Sequence, residues 1–187
     1  MESFLASIRL VLATMLICVA GYAAVIWGVG RILTPYTAQG SLITAADGKL
    51  LGSRLIAQKF TQAKHFWPRP SAVDYNAAAA AGSNKSPTSP DLTKRAEDII
   101  PQYGATAENP LPPELAAASG AGLDPDISEH AALYQAKRVA EARGLTLPQV
   151  EAVIKENVFA PGGFLTPDRL VNVLALNLAL DKLGAAQ

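Results

Sequence analysis

The sequence predicts one N-terminal transmembrane α-helix followed by a soluble α+β domain, in which a β-hairpin or small sheet packs with about four helices. Three observations predict this fold class. Residues 10–29 carry no charged side chain, residues 41–60 flank a strong hairpin turn, and several later segments open with helix-capping residues. The segments are residues 1–9 as a short N-terminus, 10–30 as the membrane span, 31–40 as a connector and 41–187 as the soluble domain.

The apolar segment of residues 10–29 is long enough to cross a bilayer. At ~1.5 Å rise per residue it measures about 30 Å, which matches the hydrocarbon core of a membrane. Arg9 and Arg31 bracket the segment, and Trp27 and Tyr36 lie where interfacial aromatic residues are expected. A cleaved signal peptide is the alternative, but its apolar core runs only ~7–15 residues.

Cys18 is the single cysteine of the chain, so the sequence predicts no intramolecular disulfide and no cysteine-based metal site. A lipoprotein processing site is disfavoured, because the large Ile17 precedes the cysteine. Positive charges stand near both ends of the span, so charge alone does not predict its orientation.

Ala20, Ala24 and Gly28 recur at every fourth position, which predicts that they share one face of the membrane helix. Such a face lets a second helix approach closely. Small residues are also common in membrane helices generally, so the spacing has an incidental explanation as well. We expect a partner helix to pack here.

The first part of the soluble domain is predicted to be a β-hairpin spanning residues 41–60. Asp47-Gly48 is a strong signal for the turn between its two arms. Gly52 in the second arm predicts a bulge or a close approach of another group to the backbone.

Residues 65–90 predict a long ordered loop, since Phe66, Trp67 and Tyr75 offer anchors within a stretch rich in Pro, Ser, Asn and Ala. Loops of this length are usually functional or mobile. The aromatic and proline run at residues 66–70 fits a rigid docking surface for another subunit. It equally fits an anchor that holds the loop to the domain core, and both roles are compatible.

Helix signals dominate the rest of the chain. Ser89-Pro90-Asp91 predicts a helix to about Tyr103, with Leu92, Ala96, Ile99 and Ile100 facing inward. Residues 115–119 are predicted to form a short strand. Ser128 caps a helix that Gly144 ends, and Thr146 with Gln149 forms a capping box for the next. Thr166-Pro167-Asp168 starts a last element, whose leucines at 174, 176, 178 and 180 fit a strand or, as we prefer, a helix.

The sequence offers little catalytic chemistry. Its 16 basic and 16 acidic side chains leave no basic footprint for nucleic acid. Asp124, Asp126 and Ser128 alternate like the start of a calcium loop, but the glycine and final acid of such a loop are missing. Ser71, His130 and Asp124 could form a nucleophile triad, yet no G-x-S-x-G elbow supports it. No catalytic residue and no metal ligand is therefore predicted.

Several segments together resemble the C subunit of the bacterial Kdp potassium-transporting ATPase, and the resemblance covers nearly the whole chain. Its most specific runs are F-W-x-R-P-S-A at residues 66–72 and G-L-D-P-x-I-S at residues 122–128. Asp126 stands where the family usually has histidine, so no role of that imidazole is carried over. The further matching segments are residues 52–60, 82–84, 134–145 and 171–183.

The resemblance implies an accessory, non-catalytic subunit of an inner-membrane complex that takes up potassium. Its partners would be a potassium-channel-like subunit, a P-type ATPase subunit and a small stabilising subunit, with membrane lipid around the span. The resemblance implies a role in assembly and a catalytic-chaperone role that raises the ATP affinity of the ATPase subunit. The resemblance therefore implies ATP only as a ligand of that partner subunit. The N-terminus would be cytoplasmic and the domain periplasmic.

The resemblance places candidate partner contacts on the residues that match its motifs. Alternatives are a membrane-tethered periplasmic enzyme, a nucleotide-binding regulator, or a binding module unrelated to transport. The candidate contacts are Gly52, Ser53, Phe66, Trp67, Arg69, Pro70, Ser71, Asn84, Gly122, Asp124, Pro125, Ser128 and Arg138.

Overall fold

One long helix dominates the first part of the chain, and it comprises α1 (Glu2–Met15), a π-helical turn (Leu16–Gly21) and α2 (Tyr22–Leu33). The structure, a computed structural model, describes residues 2–165 and 168–185, and the chain divides into the units Met1–Leu51 and Gly52–Gln187. The helix is a candidate membrane span, because its 32 residues include a window of mean hydropathy 2.3. It is longer than the predicted span, since no Gly or Pro interrupts residues 2–9 and Pro35 disfavours helical backbone at Thr34.

A π turn interrupts the regular hydrogen bonding of this helix. The Tyr22 N–H donates to the carbonyl oxygens of Ile17 and Val19 instead of to the residue four positions back. Ala20 lies within the π turn, whereas Ala24 and Gly28 lie one α-helical turn apart in α2. The shared packing face of these three residues stays a prediction.

The predicted hairpin is confirmed. After α3 (Pro35–Ala38), β1 (Leu42–Thr44) and β2 (Leu50–Ser53) form a two-stranded sheet. In the turn, Gly48 has φ +81°, and the Lys49 N–H donates to Asp47 Oδ1 at 3.0 Å. The second arm is shorter than predicted, because β2 ends at Ser53 and the chain then turns.

A three-stranded antiparallel sheet in the second unit was not predicted. Its strand order is β3-β5-β4, and Val171 of the central strand pairs with Ile127 on one side and Val158 on the other. Helices pack with this sheet around one buried apolar cluster that includes Phe66 and Leu176. The elements are α4 (Pro90–Ile99), a 3₁₀ turn (Ile100–Tyr103), α5 (Pro113–Ala116), β3 (Asp126–Ser128), α6 (Glu129–Arg143), α7 (Leu147–Glu156), β4 (Val158–Phe159), β5 (Leu170–Asn172) and α8 (Val173–Ala185).

The helix boundaries around α6 and α7 confirm their local signals. Ser128 Oγ accepts from the Ala131 N–H at 3.0 Å, and Gly144 ends α6 with φ +67°. Thr146 caps α7, and its N–H donates to Gln149 Oε1 at 2.9 Å, which completes the capping box. These caps need only neighbouring residues, so the sequence shows them directly.

The preferred helix is confirmed for the leucines at 174, 176, 178 and 180, which all lie in α8, and a short strand that was not predicted precedes it. Residues 170–172 form the strand β5, and α8 begins at Val173 rather than near Asp168. Asn172 Oδ1 accepts from the Ala175 N–H at 3.1 Å, so this side chain caps the helix. The predicted start at Thr166 and Pro167 lies outside the described residues.

Two smaller predictions were wrong. The strand predicted at residues 115–119 is replaced by the short helix α5, because Pro113 favours its first turn and Glu114 suits the N-terminal end. Ile100 was expected to face inward and is 40% exposed, since the chain tightens into a 3₁₀ turn at that residue.

Candidate functional site: an aromatic cleft on a clamped loop

Residues 57–82, here called the motif loop, contain no helix or strand, yet a side-chain amide holds their most buried point. The Phe66 N–H donates to Asn177 Oδ1 at 2.7 Å, and Asn177 Nδ2 donates back to the Phe66 carbonyl at 3.1 Å. Phe66 is 0% exposed and Asn177 is 1% exposed. Buried backbone groups need hydrogen-bond partners. The side-chain amide of Asn177, on α8, supplies the two hydrogen bonds that a neighbouring strand would otherwise provide.

A second amide holds the next residue in the same way. The Trp67 N–H donates to Gln135 Oε1 at 2.9 Å, and Gln135 Nε2 donates to the Trp67 carbonyl at 3.1 Å. Gln135 lies on α6 and is buried. Two successive residues of the motif loop are therefore clamped by α8 and α6.

Two arginines of α6 bind the chain just before these residues. Arg138 donates to the carbonyl oxygens of Ala63 and His65, and Arg143 donates to that of Lys64 at 2.6 Å. The Arg138 guanidinium also lies 3.7 Å from the centre of the Trp67 ring. Burial lowers the pKa of Arg138 to about 10, so the side chain stays charged at neutral pH. Burial, and then the nearby Arg143, lower the pKa of His65.

Polar side chains fold the following turn onto the loop at residues 118–124. Arg69 Nη1 lies 3.3 Å from Asp124 Oδ2, and Tyr75 Oη donates to the Arg69 carbonyl at 2.9 Å. Ser71 Oγ accepts from the Tyr75 N–H at 2.8 Å and from the Val73 N–H at 3.2 Å. The Ser71 hydroxyl oxygen therefore stabilises a turn of the backbone.

Glycines of the motifs mark close approaches between segments. Gly122 has φ +68°, and a Cβ there would lie 2.7 Å from the Ala81 carbonyl oxygen and 2.8 Å from Val73 Cγ2. A Cβ on Gly52 would collide with the Gln58 amide, which confirms the close approach predicted at that position. These contacts explain why both positions suit glycine.

The second motif connects the sheet to α6. Asp124 Oδ1 accepts from the Asp126 N–H at 3.2 Å, and the Pro125 carbonyl accepts from the Val173 N–H at 2.9 Å. Ser128 caps α6 and also bonds the carboxylate of Glu114 through its N–H and hydroxyl. Ser128 therefore caps the helix that follows it and also holds Glu114, fourteen residues earlier in the chain.

Asp126 is tied into the sheet. Its Oδ1 accepts from Asn172 Nδ2 at 2.9 Å, and the same nitrogen donates to the Arg54 carbonyl at 2.9 Å. Burial raises the pKa of the Asp126 carboxyl, and the hydrogen bond from Asn172 opposes that rise.

A cleft of about 250 Å³ opens beside the clamped residues, and we call it the aromatic cleft. The ring centres of Trp67 and Tyr103 lie 5.1 Å apart, edge to face, and Trp67 Nε1 donates to the Gln62 carbonyl at 3.1 Å. Burial raises the pKa of Tyr75 to about 12 and also raises that of Tyr103, so both phenols are neutral. The residues that line the aromatic cleft are Lys59, Phe60, Thr61, Trp67, Pro68, Pro70, Tyr75, Ile99, Gln102, Tyr103 and Leu115.

The structure divides the predicted contact residues by location. Phe66 and Gly122 are buried, and Trp67 and Pro70 reach the aromatic cleft. Asn84 is exposed with φ +51°, and Ser53 Oγ accepts from the Leu55 N–H.

Sequence reasoning missed Gln135, Asn172 and Asn177. Each is a buried amide among apolar neighbours. A polar residue in such a pattern signals a buried hydrogen-bond partner, and this signal could have identified them.

The catalytic alternatives gain no support from the described residues. The hydroxyl of Ser71 is used by two backbone N–H groups, and His130 is exposed on the first turn of α6. Across residues 2–165 and 168–185, no group of three or more His, Cys, Asp or Glu side chains is placed to hold a metal ion.

Comparison with known proteins identifies the family. The family described as "KdpC: K+-transporting ATPase, c chain" matches residues 4–182. A protein of Parvibaculum lavamentivorans, named Potassium-transporting ATPase KdpC subunit, is 70% identical over 186 residues, which cover 100% of both chains. Relatives with the same name from Citrifermentans bemidjiense and Geobacter metallireducens are 47% and 41% identical, over 89% and 95% of this chain and 90% and 96% of theirs. The chain therefore belongs to the KdpC family, the c chains of K+-transporting ATPases.

Proposed function

We propose that the chain is an accessory, non-catalytic subunit of an ATP-driven potassium uptake complex and is needed for its assembly. The observation that carries this proposal is the long apolar helix, whose most apolar window is 0% buried within the chain. Lipid or other membrane helices must cover such a surface. The relatives' names, which refer to a potassium-transporting ATPase, support a multi-subunit setting.

We propose that the helix packs against a helix of another subunit through Ala20, Ala24 and Gly28. Membrane helices associate by close van der Waals packing, and small side chains permit that closeness. Ala24 and Gly28 lie in regular α-helix, so they form the better-defined half of the face. Lipid would cover the remaining apolar surface.

We assign the domain to the periplasmic side, in contact with the potassium-channel-like subunit. The aromatic cleft supports a docking role because its walls are held rigid before any partner arrives. The clamps at Phe66 and Trp67 use hydrogen bonds within the chain, so docking requires little further ordering of the loop. Trp67 and Pro70 remain partly exposed at the cleft, and aromatic side chains such as Trp67 are enriched in protein interfaces.

The catalytic-chaperone role implied by the family resemblance is proposed as an indirect effect on the ATPase subunit. The aromatic cleft, at about 250 Å³, is smaller than the ~300–1,000 Å³ of common small-molecule sites. We therefore favour contacts between subunits over nucleotide binding by this chain. Measuring the KM for ATP of the complex with and without this chain tests the effect directly, and an unchanged KM would contradict it.

Replacing Ala24 with leucine tests the proposed role. The Ala24→Leu substitution should reduce co-purification of the other subunits, because the added side chain separates the packed helices. Ala23→Leu is the matched control, since the same change is made about 100° away around the helix axis. Equal recovery of the complex from both variants and the parent would contradict the proposed packing face.

A reporter fused to the C-terminus tests the orientation. A reporter active only outside the cytoplasm should be active in this fusion. Activity of a cytoplasmic reporter instead would place the domain beside the ATP-hydrolysing machinery and would overturn the periplasmic assignment.

A further inference from the structure

His65 lies in the part of the motif loop whose backbone is held by two arginines. Arg138 Nη1 donates to the His65 carbonyl at 3.0 Å, and Arg143 Nε donates to the Lys64 carbonyl at 2.6 Å. Both arginines lie on α6. The partly buried imidazole is therefore close to two positive charges that hydrogen bonds to its own stretch of backbone hold in position.

The imidazole is also connected to two residues that line the aromatic cleft. The ring centres of His65 and Phe60 lie 5.2 Å apart, edge to face, and Phe60 lines the cleft. Arg138, which binds the His65 carbonyl, lies 3.7 Å from the ring centre of Trp67. A change at His65 therefore reaches Phe60 by direct contact and Trp67 through Arg138.

The charged groups that act on the imidazole are three cations and one carboxylate. Lys64 is its neighbour in the chain, Arg138 and Arg143 act from α6, and Asp181 acts from α8. Burial lowers the pKa of His65, the three cations lower it further, and Asp181 opposes them. The Asp181 carboxylate is exposed and already binds Arg143 Nη1 at 2.8 Å. Protonation of the ring therefore adds a charge to a cluster with an excess of positive charge.

A proton on His65 costs less free energy when this cluster can separate. In the clamped loop the ring stays near the cations, whereas in a loosened loop Arg138 and Arg143 can move away and water can reach the ring. The loosened loop therefore binds the proton more tightly, and by linkage the proton favours the loosened loop. The preference for the clamped loop is full above the ordinary histidine pKa of about 6.5 and is lost as pH falls through the lowered value.

We propose that His65 is an acid-sensitive switch, which loosens the motif loop and disturbs the aromatic cleft when its ring gains a proton. The switch goes beyond the subunit role and is a property of this chain alone. Its exposure to the pH outside the cell rests on the proposed periplasmic position of the domain. Mild acid then disturbs the surface that we assign to docking.

Fluorescence of the full-length chain in detergent micelles tests the switch, so its failure would leave the subunit role standing. Trp27→Phe leaves Trp67 as the one tryptophan, and its emission then reports the wall of the cleft that stacks on Arg138. Between about pH 7.5 and pH 5 the emission should change in one transition, with a midpoint below about 6.5. NMR of the His65 ring should give the same midpoint. An emission that stays constant over this range, or a His65 midpoint at or above about 6.5, would overturn the proposal.

Matched variants separate the switch from general sensitivity to acid. His65→Gln cannot gain a proton and should abolish the transition, whereas His130→Gln, at an exposed position on the first turn of α6, should leave the midpoint unchanged. Asp181→Asn removes the opposing carboxylate and should lower the midpoint, which a purely structural role of His65 would leave in place. A transition that persists in His65→Gln, or a midpoint that Asp181→Asn does not lower, would contradict the switch.

Discussion

The long N-terminal helix and the motif loop find partners for their backbone and side-chain groups in opposite ways. The helix is built on its own backbone hydrogen bonds, but the side chains of its most apolar window are not buried within the described part of the chain. The motif loop has no regular backbone pairing, but Asn177, Gln135, Arg138 and Arg143 bind its backbone groups. The helix therefore requires something outside the chain, whereas the loop does not.

This difference changes how the family motifs are interpreted. Most of the motif residues that were expected to contact partners are occupied by contacts inside the domain. Arg69 binds Asp124, Ser71 supports a turn, and Gly122 permits a close approach. The motifs thus describe how an irregular loop is held rigid, and partner contact falls to the fewer side chains that remain accessible.

The largest expected effect comes from removing the amide that clamps Phe66. Asn177→Ala leaves a buried N–H and a buried carbonyl unpaired and opens a cavity, so we expect a loss of about 4 kcal/mol in the free energy of unfolding. Gln149→Ala, which removes only a helix cap, should cost about 1 kcal/mol. Denaturant unfolding followed by circular dichroism measures both losses. A loss for Asn177→Ala no larger than that for Gln149→Ala would show that the clamp contributes no more than a helix cap.

Adding one methyl group at Gly122 should give the next largest effect. Gly122→Ala forces a Cβ against the Ala81 carbonyl oxygen, and we expect a loss of about 3 kcal/mol. Gly104 is the matched control, because its φ of +63° is similar but a Cβ added there would meet none of the other described segments within 4 Å. Gly104→Ala should cost only about 1 kcal/mol, from backbone strain. Equal costs at the two glycines, measured by denaturant unfolding, would show that the loops do not pack closely.

Arg138 should show a smaller effect that depends on the shape of its side chain. Arg138→Lys keeps the charge but loses the fork that joins the Ala63 and His65 carbonyls and stacks on Trp67, so we expect a loss of about 2 kcal/mol in the free energy of unfolding. Arg54→Lys is the control, since that guanidinium lies 5.9 Å from the Phe159 ring. If lysine serves equally well at position 138, the stacking geometry contributes nothing to stability.

Replacing Asp126 should give the smallest change in the free energy of unfolding, and that change should depend on pH. Because burial raises its pKa in the folded state, the stability it supports is full below the pKa of the unfolded chain and is lost as pH rises through the folded value. Asp126→Asn cannot ionise and can still accept a hydrogen bond from Asn172. The stability of the variant relative to the parent should therefore increase as pH rises from below the ordinary Asp pKa, about 3.9, through the raised folded value. A difference that shrinks with rising pH would contradict the assignment.

Local signals were predictable from the sequence, and long-range pairing was not. The Ser128 cap, the Gly144 stop and the Asp47-Gly48 turn each depend on a few adjacent residues, and all three are confirmed. The three-stranded sheet was missed because its strands are two or three residues long and pair Ile127 with the distant Val171.

The clamps of the motif loop were missed for a related reason. An amide such as Asn177 satisfies a backbone more than a hundred residues earlier in the chain, and no local pattern shows that partner. A polar residue on the apolar side of a helix indicates that some partner exists, without identifying it. Of the residues that line the aromatic cleft, only Trp67 and Pro70 were candidate contacts from the family resemblance, and their grouping with Tyr103 and Leu115 required the structure.

Amide hydrogen exchange at Phe66 and Trp67 tests most directly whether the chain itself builds the motif loop. In the isolated full-length protein we expect both amides to be protected, and Asn177→Ala should speed exchange at Phe66 by a larger factor than at the amides of α7. Fast exchange at both residues in the isolated protein, with protection gained only inside the complex, would show that a partner builds the loop and would contradict this account.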